Sequence, residues 1–321
     1  MSEDNSSQRI RLNKLIADSG LASRRHADRM IEEGLVTVNG KKVFELGVKV
    51  DPEADRILVD GKPLRKPLSQ KLYLIFNKPK GVLTTMEDPL DRPTVAEYLS
   101  EVPARVFPVG RLDWDSEGLL LLTNDGDFAN RVAHPKEEVT KTYLVKLDGA
   151  PQPHQLEKLK KGVSIVGGKV SARHIERIHK QGDKKSDKYE WFKIVITEGK
   201  NRQIRQMFEK IGFDVMKLQR VAIGRLRIGN LKTGEIAFLP PETAERVFLA
   251  DDPEEVKTKR TYQGRAQAAA AKKVGPGGKR APSGSRKVQA YKAKTAATKS
   301  APAKPAGRSA APKSAPKSKR S

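Results

Sequence analysis

From residue 253 to its end the chain contains no Leu, Ile, Phe or Trp, so any hydrophobic core has to be built from the residues before it. This last stretch is made chiefly of Ala, Lys, Pro, Ser and Gly, and it cannot bury enough apolar surface to offset the entropy of ordering it. The expectation for 253–321 is a disordered basic tail. Its charge is one-sided. Residues 256–321 hold 19 Lys and Arg and no Asp or Glu, whereas the whole chain holds 63 basic and 39 acidic side chains for a net charge of +24. Residues 1–255 are therefore close to balance, with 44 basic against 39 acidic groups. A charge of this kind draws a polyanion by counterion release and without sequence preference; read alone, it also fits a solubilising tail.

The absence of cysteine excludes disulfides, thiolate nucleophiles and cysteine-based zinc sites. Residues 1–8 are polar and acidic, unlike a secretory leader, and no apolar run approaches the ~18 residues of a membrane span. The expectation is a cytoplasmic protein without a membrane segment. The five histidines, at 26, 134, 154, 174 and 179, are scattered and carry no assigned role.

Residues 8–68 read as a first unit. Leu12, Leu15 and Ile16 have helical spacing and Gly20 is a stop. Ser23 can cap a second helix over 24–33, ended by Gly34, with Ala27, Met30 and Ile31 facing inward and Arg25 and Arg29 one turn apart on another face. Asn39-Gly40 lies between two strand-like runs, and Asp60-Gly61 repeats that tight-hairpin signal. The run LNKLIADSGLASRRHADRMIEEGLVTVNGKKV resembles the S4-type RNA-binding domain. That resemblance implies that Arg24, Arg25, Arg29, Lys41 and Lys42 grip an RNA backbone; taken alone, they would be solvated surface charges.

Residues 66–70 read as a linker, and 71–249 as a second unit. Strand-like stretches at 72–76, 119–123, 142–147 and 191–197 mix with a helix at 201–211 and show no regular βαβ repeat. The expected class is α+β with a largely antiparallel sheet. Gly110-Arg111-Leu112-Asp113 precedes the apolar run 119–122; there Asp113 is either partly buried and in need of a cationic partner or, as spacing alone favours, a loop aspartate that only makes a hydrogen bond. Asn124-Asp125-Gly126 marks a turn, with Asp127 capping a short helix. Lys200, Arg202 and Arg205 surround the first turn of the helix at 201–211, against the helix dipole, which suggests either that an anion is met there or that the turn faces solvent. In Lys141-Thr142-Tyr143-Leu144-Val145, alternation puts Tyr143 and Val145 on one face; Tyr143 is either a core packer or a platform for a nucleobase.

Behind an S4-like domain and in this order, FNKPKGVLTT, GRLDWDSEGLLLLTNDG, KTYLV and EGKNRQIRQMFEKIGFDVMKLQRVAIGRLRIG resemble the bacterial ribosomal RNA pseudouridine synthases over roughly residues 8–250. The resemblance implies isomerisation of uridine to pseudouridine in ribosomal RNA, without metal, redox partner or other cofactor. It favours the large-subunit (23S) group over the small-subunit (16S) one. It makes Asp113 the essential carboxylate, which either attacks C1′ or removes the 2′ proton, and it makes Arg205 the guanidinium that holds Asp113 ionised. The target uridine must be turned out of its stack. By resemblance Arg111 fills the vacated space, Tyr143 stacks on the uracil, Leu218 packs the opposite wall, and Lys200, Asn201 and Arg202 contact RNA. Lys78 either touches the RNA backbone or supports the site. A monomer acting on ribosomal RNA or an assembly intermediate is expected. The competing readings are a non-catalytic RNA-binding assembly factor and a synthase acting on 16S ribosomal RNA.

Overall fold

The computed structural model describes residues 9–66, 70–179 and 189–249. The expected tail, 253–321, lies outside the described residues, as do positions 67–69 of the expected linker.

The first element group is small and local. Helix α1 (Leu12–Asp18) buries Leu12, Leu15 and Ile16, and α2 (Arg24–Glu32) buries Ala27 and Ile31. The Ser23 side chain accepts from the His26 backbone N–H and so satisfies one of the free donors at the start of α2. Strand β1 (Ile10–Arg11) pairs with β4 (Lys49–Val50). A four-stranded antiparallel sheet runs in the order β3 (Lys41–Lys42), β2 (Val36–Val38), β5 (Ile57–Val59), β6 (Lys62–Pro63). Both two-residue turns have positive φ throughout, 52° and 81° at Asn39-Gly40 and 49° and 70° at Asp60-Gly61, the geometry that lets a two-residue hairpin follow the strand twist.

The second group is built on a nine-stranded sheet. Its strands are β7 (Tyr73–Lys78), β8 (Phe107–Val109), β9 (Glu117–Thr123), β10 (Lys141–Leu147), β13 (His174–Ile178), β14 (Glu190–Ile196), β15 (Val215–Ile223), β16 (Leu226–Arg227) and β17 (Ile236–Leu239). The order is β13-β14-β10-β15-β9-β7-β17, with β8 on β9 and β16 on β15. Every pairing is antiparallel except β15 with β9, which is parallel. A separate hairpin joins β11 (Val163–Ile165) and β12 (Gly168–Val170).

Strand β9 explains the apolar run. Leu120 and Leu122 pack into one core with Phe76, Phe192, Met207 and Phe208, and Leu119 and Leu121 into another with Phe128, Val132 and Ile223. A strand covered on both faces reads as continuous hydrophobicity rather than alternation. Helices α3 (Gly126–Ala133) and α5 (Gln203–Glu209) supply residues of those two covers, and α4 (Pro153–Lys161) and α6 (Pro241–Ala244) are further α-helices. Two local expectations are corrected. Asp125 caps α3, accepting from the Asp127 and Phe128 N–H groups, because the cap must precede the first helical residue. The helix expected over 201–211 is shortened to Gln203–Glu209, because Arg202 takes a left-handed conformation at φ 48°. Among the described residues no helix is long and apolar enough to cross a membrane.

Candidate active site

Strands β9 and β15 share two register pairs, Gln219 with Glu117 and Arg220 with Gly118. Beside this junction opens a cleft of about 340 Å³, walled by the loop before β9, by β10 and β15, and by the turn before α5. That is within the range of small-ligand clefts, about 300–1,000 Å³.

Asp113 lines the cleft and is half-buried. Its loop is pinned from the segment after β7. Thr84 Oγ1 donates to the Leu112 carbonyl at 2.7 Å and accepts from the Leu112 N–H at 3.2 Å. The Gly81 N–H donates to the Trp114 carbonyl at 2.7 Å, and the Ser116 N–H closes a turn onto the Asp113 carbonyl at 3.1 Å. The backbone on both sides of Asp113 is thus held by hydrogen bonds, a condition for fixing a reactive side chain. Tyr143 and Leu218 line the same cleft and are largely buried, Arg111 stands exposed at its mouth, and Lys200, Asn201 and Arg202 line the side before α5.

Arg205 is not among the residues lining the cleft; its guanidinium pairs with Asp115, Nη2 to Oδ2 at 3.1 Å, with further bonds to the Asp115 and Val215 carbonyls. Arg202 joins the same carboxylate at 3.3 Å. Asp115 is thus the carboxylate paired with Arg202 and Arg205, Lys200 pairs with Glu198 at 3.7 Å, and the charge of Asp113 also acts on Arg205. Burial lowers the Arg205 pKa, and the Asp115 carboxylate opposes that shift. Lys78 is fully buried and so placed out of reach of an RNA backbone. Its Nζ donates to the Pro79 and Val82 carbonyls at 3.0 and 2.7 Å, tying the segment that braces the Asp113 loop. Burial pulls its pKa down to about 8, partly offset by the charge of Asp113.

Several cleft residues lay outside the sequence expectations, among them Lys141, Ser116 and Arg220. Lys141 lines the wall, donates to the Val139 and Thr197 carbonyls, and has its pKa pulled down to about 8 by burial. Ser116 lines the cleft with its Oγ buried and without a partner. Arg220 is 3% exposed and lines the wall beside Tyr143. Strand alternation carried the signal for two of them. Lys141 is two residues before Tyr143, and Arg220 two residues after Leu218, so each shares its neighbour's face. The S4-region cations Arg24, Arg25, Arg29, Lys41 and Lys42 are all exposed and none lines the cleft. Among the described residues no three His, Asp or Glu side chains are placed to hold a metal ion.

Comparison with known proteins places this geometry in a class. An S4 domain model matches residues 10–57, and the model described as RNA pseudouridylate synthase matches residues 72–210. An RNA-binding module ahead of such a domain defines an RNA-modifying isomerase. Over 242 residues, 75% of this chain and 97% of the relative, the sequence is 42% identical to the ribosomal large subunit pseudouridine synthase B of Bacillus subtilis (strain 168). Over 244 residues it is 38% identical to the protein of the same name from Xylella fastidiosa (strain Temecula1 / ATCC 700964), covering 73% of this chain and 50% of that one. A crystal structure of a pseudouridylate synthase aligns at 27% identity with a TM-score of 0.52, over 74% of this chain and 99% of the other. The chain belongs to the RNA pseudouridylate synthase family.

Proposed function

We propose that this synthase isomerises uridine in the 23S ribosomal RNA of the large subunit, with Asp113 as its catalytic carboxylate. The observation that carries the reading is the half-buried Asp113 on a backbone-pinned loop, lining a cleft it shares with Tyr143. The large-subunit target is supported by the names of the relatives from Bacillus subtilis and Xylella fastidiosa.

The reaction breaks the N1–C1′ bond, turns the freed uracil, and joins C5 to C1′, with a proton lost at C5 and one gained at N1. Asp113 serves it either by attacking C1′ and leaving again, or by taking the 2′ proton and returning it. In both cases the base is brought into the cleft, since a stacked uridine cannot present C1′ to a carboxylate there. Tyr143 offers the ring against which uracil lies, Leu218 gives an apolar wall, and Arg111 at the mouth occupies the gap left in the RNA. Lys200, Asn201 and Arg202 meet the flanking backbone. The exposed cations of the S4 region, Arg24, Arg25, Arg29, Lys41 and Lys42, hold RNA further away by phosphate contact, which positions without specifying sequence. Arg205 acts through Asp115, bracing the loop that leads into β9. The protein acts as a cytoplasmic monomer.

Pseudouridine maps of ribosomal RNA from cells with and without this protein test the target. The expected result is the loss of pseudouridine at a defined large-subunit position. An unchanged large-subunit map, or a loss confined to 16S ribosomal RNA, would refute the assignment.

A further inference from the structure

Arg220 is a buried cation that the mechanism above leaves unused. It projects from β15 directly across from Tyr143 of β10, so the two neighbours share the face that walls the cleft. The pairing slips by one residue just before them: Thr142 faces Ala222 and Tyr143 faces Arg220, so Val221 is extra. Such bulges re-aim side chains and are common beside active sites. On its other side Arg220 is paired with Gly118 of β9, where φ is 107° and a Cβ would run into the Arg220 backbone carbonyl. The glycine five residues after Asp113 thus lets β15 come close enough for Arg220 to reach the cleft.

The guanidinium is anchored but under-satisfied. Nε donates to the Leu119 carbonyl at 2.7 Å, whereas Nη2 is buried with no hydrogen-bond partner. No carboxylate lies within ion-pair distance of it among the described residues, in contrast to Arg205 and Arg202, which share Asp115. A desolvated cation without an anion is unfavourable unless an anion or strong acceptor arrives. Two further buried or half-buried cations, Lys78 and Lys141, lie near enough for the charge of Arg220 to lower their pKa values. Arg220 thus belongs to a cluster of cations, whose charge the carboxylates of Asp113, Asp115 and Glu117 only partly offset at Lys78.

We infer that Arg220 is a catalytic residue that hydrogen-bonds a carbonyl oxygen of the uracil and stabilises the base as it departs. This rests on the reading of the cleft given above. When N1–C1′ breaks, the bonding pair leaves with the base, and the resulting uracil anion spreads its charge from N1 onto the ring carbonyls. Arg220 gives up no proton in this step; from its own buried position it supplies fixed N–H donors and a positive charge where negative charge develops. The pair then returns to C1′ through C5. Anchorage by Leu119 and by the Gly118 approach means that the donor is oriented before the base arrives, which is what makes such a group effective.

Single-turnover rates of target consumption for wild type, Arg220→Lys and Arg220→Gln, each on a uridine RNA and on the same RNA carrying 5-fluorouridine at the target, test this. Fluorine withdraws electrons and stabilises the departing base by itself, so the substrate partly supplies what the variant lacks. For Arg220→Gln the expected loss on uridine is on the order of 100-fold, as for removal of one preorganised donor, with RNA affinity retained and a several-fold smaller loss on 5-fluorouridine. Arg220→Lys, which keeps the charge, falls between. The ratio of the two rates within one preparation is independent of how much of it is folded. An equal loss on both RNAs, or a loss seen only in RNA affinity, would overturn the inference. A wild-type enzyme inactive on both would instead refute the synthase reading itself.

Discussion

Asp113, Lys78 and Arg205 show how a side chain's setting, not its type, decides its use. A lysine directly before a proline has surface exposure as its ordinary fate; Lys78 is instead fully buried, with both its hydrogen bonds going to backbone carbonyls. That burial has a pH signature. The folded pKa of Lys78, about 8, lies below the ordinary 10.5. Between these values the unfolded chain binds more protons than the folded one, so the folded state gains stability as pH rises through that window. At about 1.4 kcal/mol per unit this amounts to roughly 3 kcal/mol. Lys78→Met lacks the titration. Urea unfolding of both proteins from pH 8 to 10.5 is expected to show the difference moving in favour of the wild type by that order. A constant difference would mean that Lys78 is not a buried cation at neutral pH. Arg205 pairs with Asp115 across a separation of 90 residues while the charge of Asp113 also acts on it, an arrangement that tertiary placement makes and no local pattern encodes.

At the scale of elements, what was legible was what is decided locally. Asn39-Gly40 and Asp60-Gly61 tolerate the positive φ that their turns require, and Ser23 can accept from the open end of α2, so both hairpins and that helix start follow from short-range chemistry. The four leucines of β9 announced a buried strand, but not that its two faces belong to different cores. The α3 cap was misplaced because Asp125 and Asp127 are equally good acceptors and only the backbone path selects one. Arg220 went unrecognised because arginine on a strand is usually exposed, and its burial depends on the close approach of Gly118 to β15. Gly118→Ala tests that approach. It places a side chain at positive φ and against a neighbouring strand, and is expected to destabilise the fold by about 3 kcal/mol. Thermal unfolding of this variant at or above the wild-type midpoint would show that the strand approach carries no constraint.

Across the whole molecule the charge is divided by task. Residues 1–255 are nearly balanced, whereas residues 256–321 hold 19 unopposed basic groups. Removing 256–321 is expected to weaken RNA binding and flatten the dependence of log K on log salt by about 0.7 to 0.9 for each phosphate that is no longer neutralised, while the unfolding midpoint of the rest is unchanged. A salt slope equal to that of the full chain would leave the tail without a part in binding. The central claim is that one carboxylate in one cleft performs the isomerisation, and the most direct measurement compares wild type and Asp113→Asn on purified 23S ribosomal RNA, reading pseudouridine by site and RNA affinity in the same samples. The account predicts pseudouridine at a defined position with the wild type and none with the variant, at unchanged affinity. Pseudouridine formed by Asp113→Asn at the wild-type rate would contradict it.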